Sequence, residues 1–382
     1  MKKILFINHS ASRTGAPIML LHFLKWLKSK NVRFDVLSLQ NGDLLDEFSI
    51  ISDQHFYKIK KDNLFVKTKR YINWFQEEGS ITGLLYPESD LKSISKNNYS
   101  LIYANSILSL PAGYYIKKNS LNNLQLLVHI HELNIVLQRY CPNFSFFSSS
   151  IDHIIAASYR VKDNLISNWG FKNNDISVVY EHSTMPSATP NAVNKKIREF
   201  IVGASGIASW RKGPDFFLMV AKYVFEKMPE ATIQFQWVGR ISSFNRLIFE
   251  EDLKKLNLTN KVEFVGAKEN PHDYYSNFDI FLMTSKEDPF PLVCIEVGML
   301  GKPIICFKGA TGTEEVLETI EGTIVPYMDI IQMGELVIKY YENTQFKIEV
   351  GKKMKDVFQE FTPEKQSVKF YNIILSLINN ES

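Results

Sequence analysis

The strongest constraint on the fold is an alternation that begins at the first residues and then restarts halfway along. KILFINHS is a short apolar run of strand type. A small-residue turn, SASRTGAP, follows it, then a helical pattern, IMLLHFLKWLKSK, then a second strand-like run, RFDVLSLQ. Strand, glycine turn, helix, strand is the signature of a parallel sheet, because parallel neighbours need a long crossover. SLIYANS, LQLLVHIHE, DHIIAAS and ISVVYE continue the strands, with LPAGYYIKK and YRVKDNLISNWG as helices among them. Polar SATPNAVNKK, 187–196, reads as a linker. The pattern restarts with EFIVGASG, and ATIQFQWVG, KVEFVG, FDIFLMTS, PIICFKG and GTIVPY supply further strands. Their continuous apolar character fits sheets covered on both faces.

A chain of 382 residues, 45% hydrophobic, has room for two such cores. The expected fold is α/β with two doubly wound Rossmann-like domains facing a central cleft. The expected boundaries are 1–197, 198–361 and a C-terminal amphipathic helix, 362–382, opened by Thr362 and Pro363 and packing back on the first domain. Cys141, Cys294 and Cys306 are widely separated, which suits a reducing compartment and argues against a disulfide framework or a zinc site. The apolar run Ile4 to Ile7 is too short for a signal peptide, and no run reaches the ~18 apolar residues of a membrane span. A cytoplasmic location is therefore expected. Residues 1–197 carry 23 Lys+Arg against 15 Asp+Glu, while the remainder carries 21 against 26. The first half is the one to meet an anionic surface or substrate.

Ligands bind at the carboxyl ends of strands in open parallel sheets, so the loops there matter most. In TSKEDPFPLVCIE, Thr284 to Glu296, a strand runs through an acidic, proline-rich loop into the apolar segment PLVCIEVGML. Pro291 suits a first helical turn, and a helix start offers unpaired N–H groups and partial positive charge to an anion. Glu296 lies about a turn and a half further in. A carboxylate there needs a partner, which a ligand's hydroxyl groups or a protein group at the rim could supply. In GASGIASWRKGPDFF, 203–217, Arg211 and Lys212 sit where cations are disfavoured by the helix dipole, and Gly213 lets backbone approach closely. A diphosphate clamp and a solvated pair are both open readings.

SRTGAP, 12–17, offers glycine at the first turn, and GATGTEEV, 309–316, places Gly312 and Glu315 after another strand, with Glu314 only a helix-start acid. In VHIHEL, 128–133, His129 and His131 are expected to point to opposite faces, with His131 beside Glu132 the better candidate for a ligand site. FYKIKKDNLFVKTKRYINWF, 56–75, interleaves six Lys/Arg with aromatics, which fits an anionic membrane surface or a plain solvated helix face. No phosphate-loop, serine-elbow or H-E-x-x-H motif occurs, and no D-x-D that would hold a metal on a diphosphate.

Taken together, these residues resemble the GT-B glycosyltransferases of family GT4, which are retaining and use nucleotide sugars. TSKEDPFPLVCIE resembles the family's E-x7-E signature, with Asp288 in place of the first acid. SWRKG resembles its lysine-glycine motif, with Ile207 where the family often has arginine and Arg211 as the substitute. The resemblance covers most of residues 3–330. It implies no cofactor and no metal, and a nucleoside-diphosphate sugar, UDP or GDP, as donor. Arg211, Lys212, Asp288 and His131 would be catalytic, with Arg211 and Lys212 neutralising the leaving diphosphate. Glu296, Val265, Gly266, Lys268, Leu292 and Val293 would hold the nucleotide. Gly15, Ala16, Gly213, Pro289, Phe290, Pro291, Gly312 and Glu315 would surround the diphosphate or sugar. The acceptor would be a glycan or lipid-linked glycan in polysaccharide assembly, with peripheral contact at the inner face of the membrane through 56–75 and no nucleic acid. A nucleotide-sugar epimerase of the same fold and a non-catalytic nucleotide-sugar-binding protein are the rival expectations.

Overall fold

A computed structural model describes residues 3–57, 86–186 and 199–379. The first sheet holds β1 (Lys3–Asn8), β2 (Phe34–Ser38), β3 (His55–Phe56), β4 (Tyr99–Asn105), β5 (Gln125–Ile130), β6 (His153–Ala156) and β7 (Ile176–Val178). Their order is β3-β2-β1-β4-β5-β6-β7, and neighbouring strands pair in parallel. The second sheet holds β8 (Phe200–Ser205), β9 (Ile233–Val238), β10 (Val262–Gly266), β11 (Ile280–Met283), β12 (Ile304–Phe307) and β13 (Ile324–Val325), in the order β10-β9-β8-β11-β12-β13. Each sheet is doubly wound. The winding reverses between β1 and β4 in the first and between β8 and β11 in the second, where such folds place ligands.

Helices on both faces explain the apolar strands. Leu5, Phe6 and Ile7 of β1 are successive and all inaccessible to solvent, as are Ile304, Ile305 and Cys306 of β12. The chain divides into two compact units, Met1–Tyr180 with Pro363–Ser382, and Glu181–Thr362. The change of unit thus precedes the polar stretch 187–196, which lies outside the described residues. The last helix, Pro363–Asn379, packs on the helix Gly15–Ser29, with the rings of Phe370 and Phe23 centred 5.4 Å apart.

One expectation changes here. The rings of His129 and His131 are 3.8 Å apart and share a side of the first sheet. Residues two apart on a strand point the same way, so opposite faces were never available to this pair. His129 is fully buried, with Nδ1 2.7 Å from the Tyr103 hydroxyl. Phe56, at the start of the basic-aromatic stretch, belongs to the edge strand β3, while 58–75 lie outside the described residues. Among the described residues no helix is long and apolar enough to cross a membrane.

Candidate functional site

The loops after β8 and β11 meet at the reversal point of the second sheet. After β8 the chain makes a single tight turn, Trp210–Lys212, then enters the helix Pro214–Lys227 through Gly213. Gly213 has a φ of +66°, and a Cβ there would sit 2.0 Å from the Thr284 carbonyl oxygen. The close approach expected of this glycine is therefore made by the protein's own backbone. The Lys286 amide donates to the Arg211 carbonyl at 2.8 Å, and Thr284 Oγ1 donates to the Lys212 carbonyl at 3.2 Å. Lys286 closes the outer side. Its Nζ pairs with Asp215 at 2.6 Å and lies 4.7 Å from the centre of the Phe216 ring.

This stitching brings three charges together. Arg211 Nη1 lies 2.8 Å from Asp288 Oδ1, and Lys212 Nζ lies 2.5 Å from Oδ2. Ser285 Oγ donates to Oδ2 at 3.0 Å, and Arg211 also reaches the Glu287 carbonyl at 3.0 Å. Asp288 is only 3% exposed. Burial alone would raise its pKa, but the adjacent Arg211 and Lys212 charges and their hydrogen bonds outweigh it and hold the carboxyl down at about 2. The anion answering the misplaced-looking cations is thus Asp288 itself, and the cluster retains one net positive charge.

The loop after β12 fixes the other flank. The Asp288 amide donates to the Ala310 carbonyl at 2.8 Å, and the Gly312 amide donates to the Pro289 carbonyl at 2.8 Å. Gly312 therefore spends its N–H on the acidic loop. Of the two acids here, Glu314 is buried and accepts from the Gly309 amide, while Glu315 is half-buried. Pro291 stands at the N-cap position, just outside the helix Leu292–Met299, so Leu292 and Val293 supply the leading amides, one residue later than expected. Phe290 is buried against Phe361, their rings 5.2 Å apart.

Glu296 in that helix has partners on both oxygens. Oε1 accepts from Ser183 Oγ at 2.9 Å, and Oε2 lies 3.5 Å from His272 Nε2. Burial, and after it the Glu296 charge, pushes the phenol of neighbouring Tyr275 up. Val265 and Gly266 end β10 half-buried, and exposed Lys268 stands 5.4 Å over the ring of Tyr274. In the first unit, Gly15 and Ala16 open the helix Gly15–Ser29 after β1, and His131 follows β5. The second unit thus gathers Arg211, Lys212, Asp288, Pro289, Phe290, Pro291 and Gly312 around one loop junction. Ser285, Ser183 and His272 were not singled out from the sequence. Ser285 sits inside the acidic motif, but Ser183 lies 113 residues from its partner and has no local signal.

Residues 188–357, somewhat less than half of the chain, match the family Glycosyl transferases group 1. An uncharacterised glycosyltransferase of Methanocaldococcus jannaschii is 26% identical over 182 residues, 46% of this chain and 44% of the relative. A match in Haemophilus influenzae covers 53% of that relative, so the chain spans about half the length of the curated relatives it matches. The crystal structure of HepE from Anabaena with UDP-glucose superposes with a TM-score of 0.79 at 18% identity, covering 98% of this chain and all of that one. Sucrose-phosphate synthase from Thermosynechococcus elongatus gives 0.76 at 19% identity over the full length of both. At these identities the likeness establishes the fold, the GT-B fold of two Rossmann-like domains. The matched family, over less than half of the chain, is one of glycosyl transferases.

Proposed function

We propose that this chain is a retaining glycosyltransferase that moves a sugar from a nucleoside-diphosphate sugar to a glycan or lipid-linked acceptor in polysaccharide assembly. One observation carries the reading. Arg211 and Lys212 converge on Asp288 at the reversal point of the second sheet, beside the start of the helix Leu292–Met299. A diphosphate leaving group gains negative charge as the sugar–oxygen bond breaks. Two fixed cations and the leading amides of Leu292 and Val293 are suited to stabilise that charge without a metal. Support for a UDP-type donor comes from HepE, solved with UDP-glucose.

The arrangement refines the role of Asp288. Its Oδ2 already accepts from Lys212 and Ser285 and its Oδ1 from Arg211. A carboxylate has about four lone-pair positions, so one is left for a sugar hydroxyl. Asp288 therefore acts chiefly by aiming the two cations. Glu296, held at one oxygen by Ser183, takes the ribose hydroxyls, with Val265, Gly266 and Lys268 around the base. His131 serves the acceptor side. The step is a front-face substitution. The electron pair of the breaking C–O bond goes to the phosphate, the acceptor oxygen bonds on the same face, and its proton passes to the leaving phosphate. A trapped covalent glycosyl-enzyme would sink that mechanism. Membrane contact through 56–75 rests on sequence alone, and failure to float with anionic liposomes at low salt removes it.

The first test is a thermal-shift screen with UDP, GDP, ADP, TDP and CMP, each without metal and with magnesium. One nucleoside diphosphate is expected to raise the melting temperature in both conditions. If none does, the transferase reading loses its donor site. Product analysis with the donor alone and with acceptor then separates transfer from epimerisation.

A further inference from the structure

We propose that Asn105 is a positioning residue that orients the His131 ring and holds a proton on its Nε2. The inference deepens the functional reading and rests on its assignment of His131. Asn105 is the last residue of β4, at the point where the winding of the first sheet reverses, and it is inaccessible to solvent. Its amide nitrogen donates to the Ala16 carbonyl at 3.0 Å. Its amide oxygen lies 2.8 Å from His131 Nε2.

These two contacts determine the rest. The Ala16 carbonyl can only accept, so the Asn105 group facing it is the NH2 and not the oxygen. The group facing His131 is then the oxygen, which also can only accept. A hydrogen bond at 2.8 Å therefore requires a proton on Nε2. Ser109 Oγ holds the Asn105 carbonyl at 3.0 Å, so the residue is anchored through its backbone as well. One buried amide thus joins the two stretches assigned to this side, the glycine turn through Ala16 and the histidine loop through His131.

His9, which directly follows β1, is pushed down to about 4 by burial and by the nearby His131. Its Nδ1 lies 3.1 Å from the hydroxyl of Ser106, a non-glycine residue held at a φ of +92°. The His131 amide donates to Glu132 Oε2 at 2.9 Å, which fixes the loop backbone. An aspartate in place of Asn105 would still hold the Nε2 proton but would set a carboxylate oxygen against the Ala16 carbonyl. Asparagine alone of the two satisfies both neighbours.

The test is nitrogen NMR of the full chain labelled at histidine, combined with transfer kinetics. Wild type is expected to show His131 protonated at Nε2. Asn105→Asp is expected to keep that tautomer. Asn105→Leu is expected to lose it and to lower kcat by about tenfold or more, as loss of an orienting partner does. The affinity for the nucleoside diphosphate should change less than kcat, since of the residues assigned around the diphosphate only Ala16 is held by Asn105. A wild-type or Asn105→Asp spectrum with the His131 proton on Nδ1, or an unchanged kcat in Asn105→Leu, overturns the proposal. If Asn105→Leu does not fold, the other two spectra decide. If no donor is ever transferred, the functional reading fails while the spectra still settle the tautomer.

Discussion

Replacing Asp288 by asparagine keeps the side chain's shape and removes its charge. The consequence can be worked from the site. The carboxyl has an ordinary pKa of 3.8 and is held at about 2 by Arg211 and Lys212, against its own burial. A folded-state value below the unfolded one means the ionised carboxylate stabilises the fold. That contribution is fully present above the unfolded value and is lost as pH falls through the folded one. The gap corresponds to roughly 2 kcal/mol at neutral pH, of which about half remains at pH 3. Asp288→Asn also leaves two cations facing each other, so roughly 2 kcal/mol is a floor. The assay is urea unfolding of wild type and variant at pH 7, 5 and 3, followed by tryptophan fluorescence. The difference should be nearly constant from pH 7 to 5 and shrink markedly by pH 3. The variant should also gain more thermal stability from the nucleoside diphosphate than wild type does, because its cations are no longer neutralised. A pH 7 difference of only a few tenths of a kcal/mol, or one that grows on acidification, would refute the reasoning.

Other outcomes follow from single contacts. Lys212→Ala should lower kcat by about 100-fold or more while the fold persists, as loss of one preorganised donor to a developing oxyanion does; single-turnover transfer assays read this. Gly213→Ala should cost at least ~1–2 kcal/mol, since alanine at a φ of +66° is strained and its Cβ would lie 2.0 Å from the Thr284 oxygen. Its melting temperature measures that. Ser183→Ala should weaken nucleoside-diphosphate affinity by about fivefold through the lost hydrogen bond to Glu296, leaving kcat at saturating donor close to wild type. Calorimetry and a donor titration check the two halves of that statement.

The fold was legible because its signals are local. Each apolar run and each helical period is contained within about ten to fifteen residues, and parallel strands joined by helices leave few windings open. The second unit's charged residues were legible for a related reason. Gly213 and Pro291 mark where a loop turns into a helix, and Arg211, Lys212 and Asp288 stand beside them. What pairs with what was not legible. Cations at a helix start ask for an anion, but nothing local says that Asp288, 76 and 77 positions away, provides it. Glu296 likewise finds Ser183 across 113 positions. Asn105 sits inside an apolar strand run and shows its purpose only when β1, β4 and β5 lie side by side.

The two sheets share a winding, yet they place opposite chemistry at the reversal point. In the first unit, Asn105 holds His131 and Ser106 holds His9, which burial keeps uncharged, beside a Glu132 carboxylate that accepts from the Ile107 and His131 amides. In the second, two cations and one carboxylate remain charged although Asp288 is buried. Keeping ionised groups out of water is costly unless they are paired and hydrogen-bonded, as Asp288 is with Arg211 and Lys212, and the surplus positive charge of that cluster suits an anionic ligand. Hydrogen-bonding groups that stay neutral suit recognition of hydroxyls, which carry no charge to balance. The division fits a transfer in which charge develops on the donor's diphosphate while the acceptor contributes an alcohol. It also ranks the variants. Neutralising a second-unit cation should act on the bond-breaking step. Altering Asn105 should act chiefly on how His131 is presented. A kinetic profile in which Lys212→Ala and Asn105→Leu both weakened nucleotide binding equally would contradict this separation of roles.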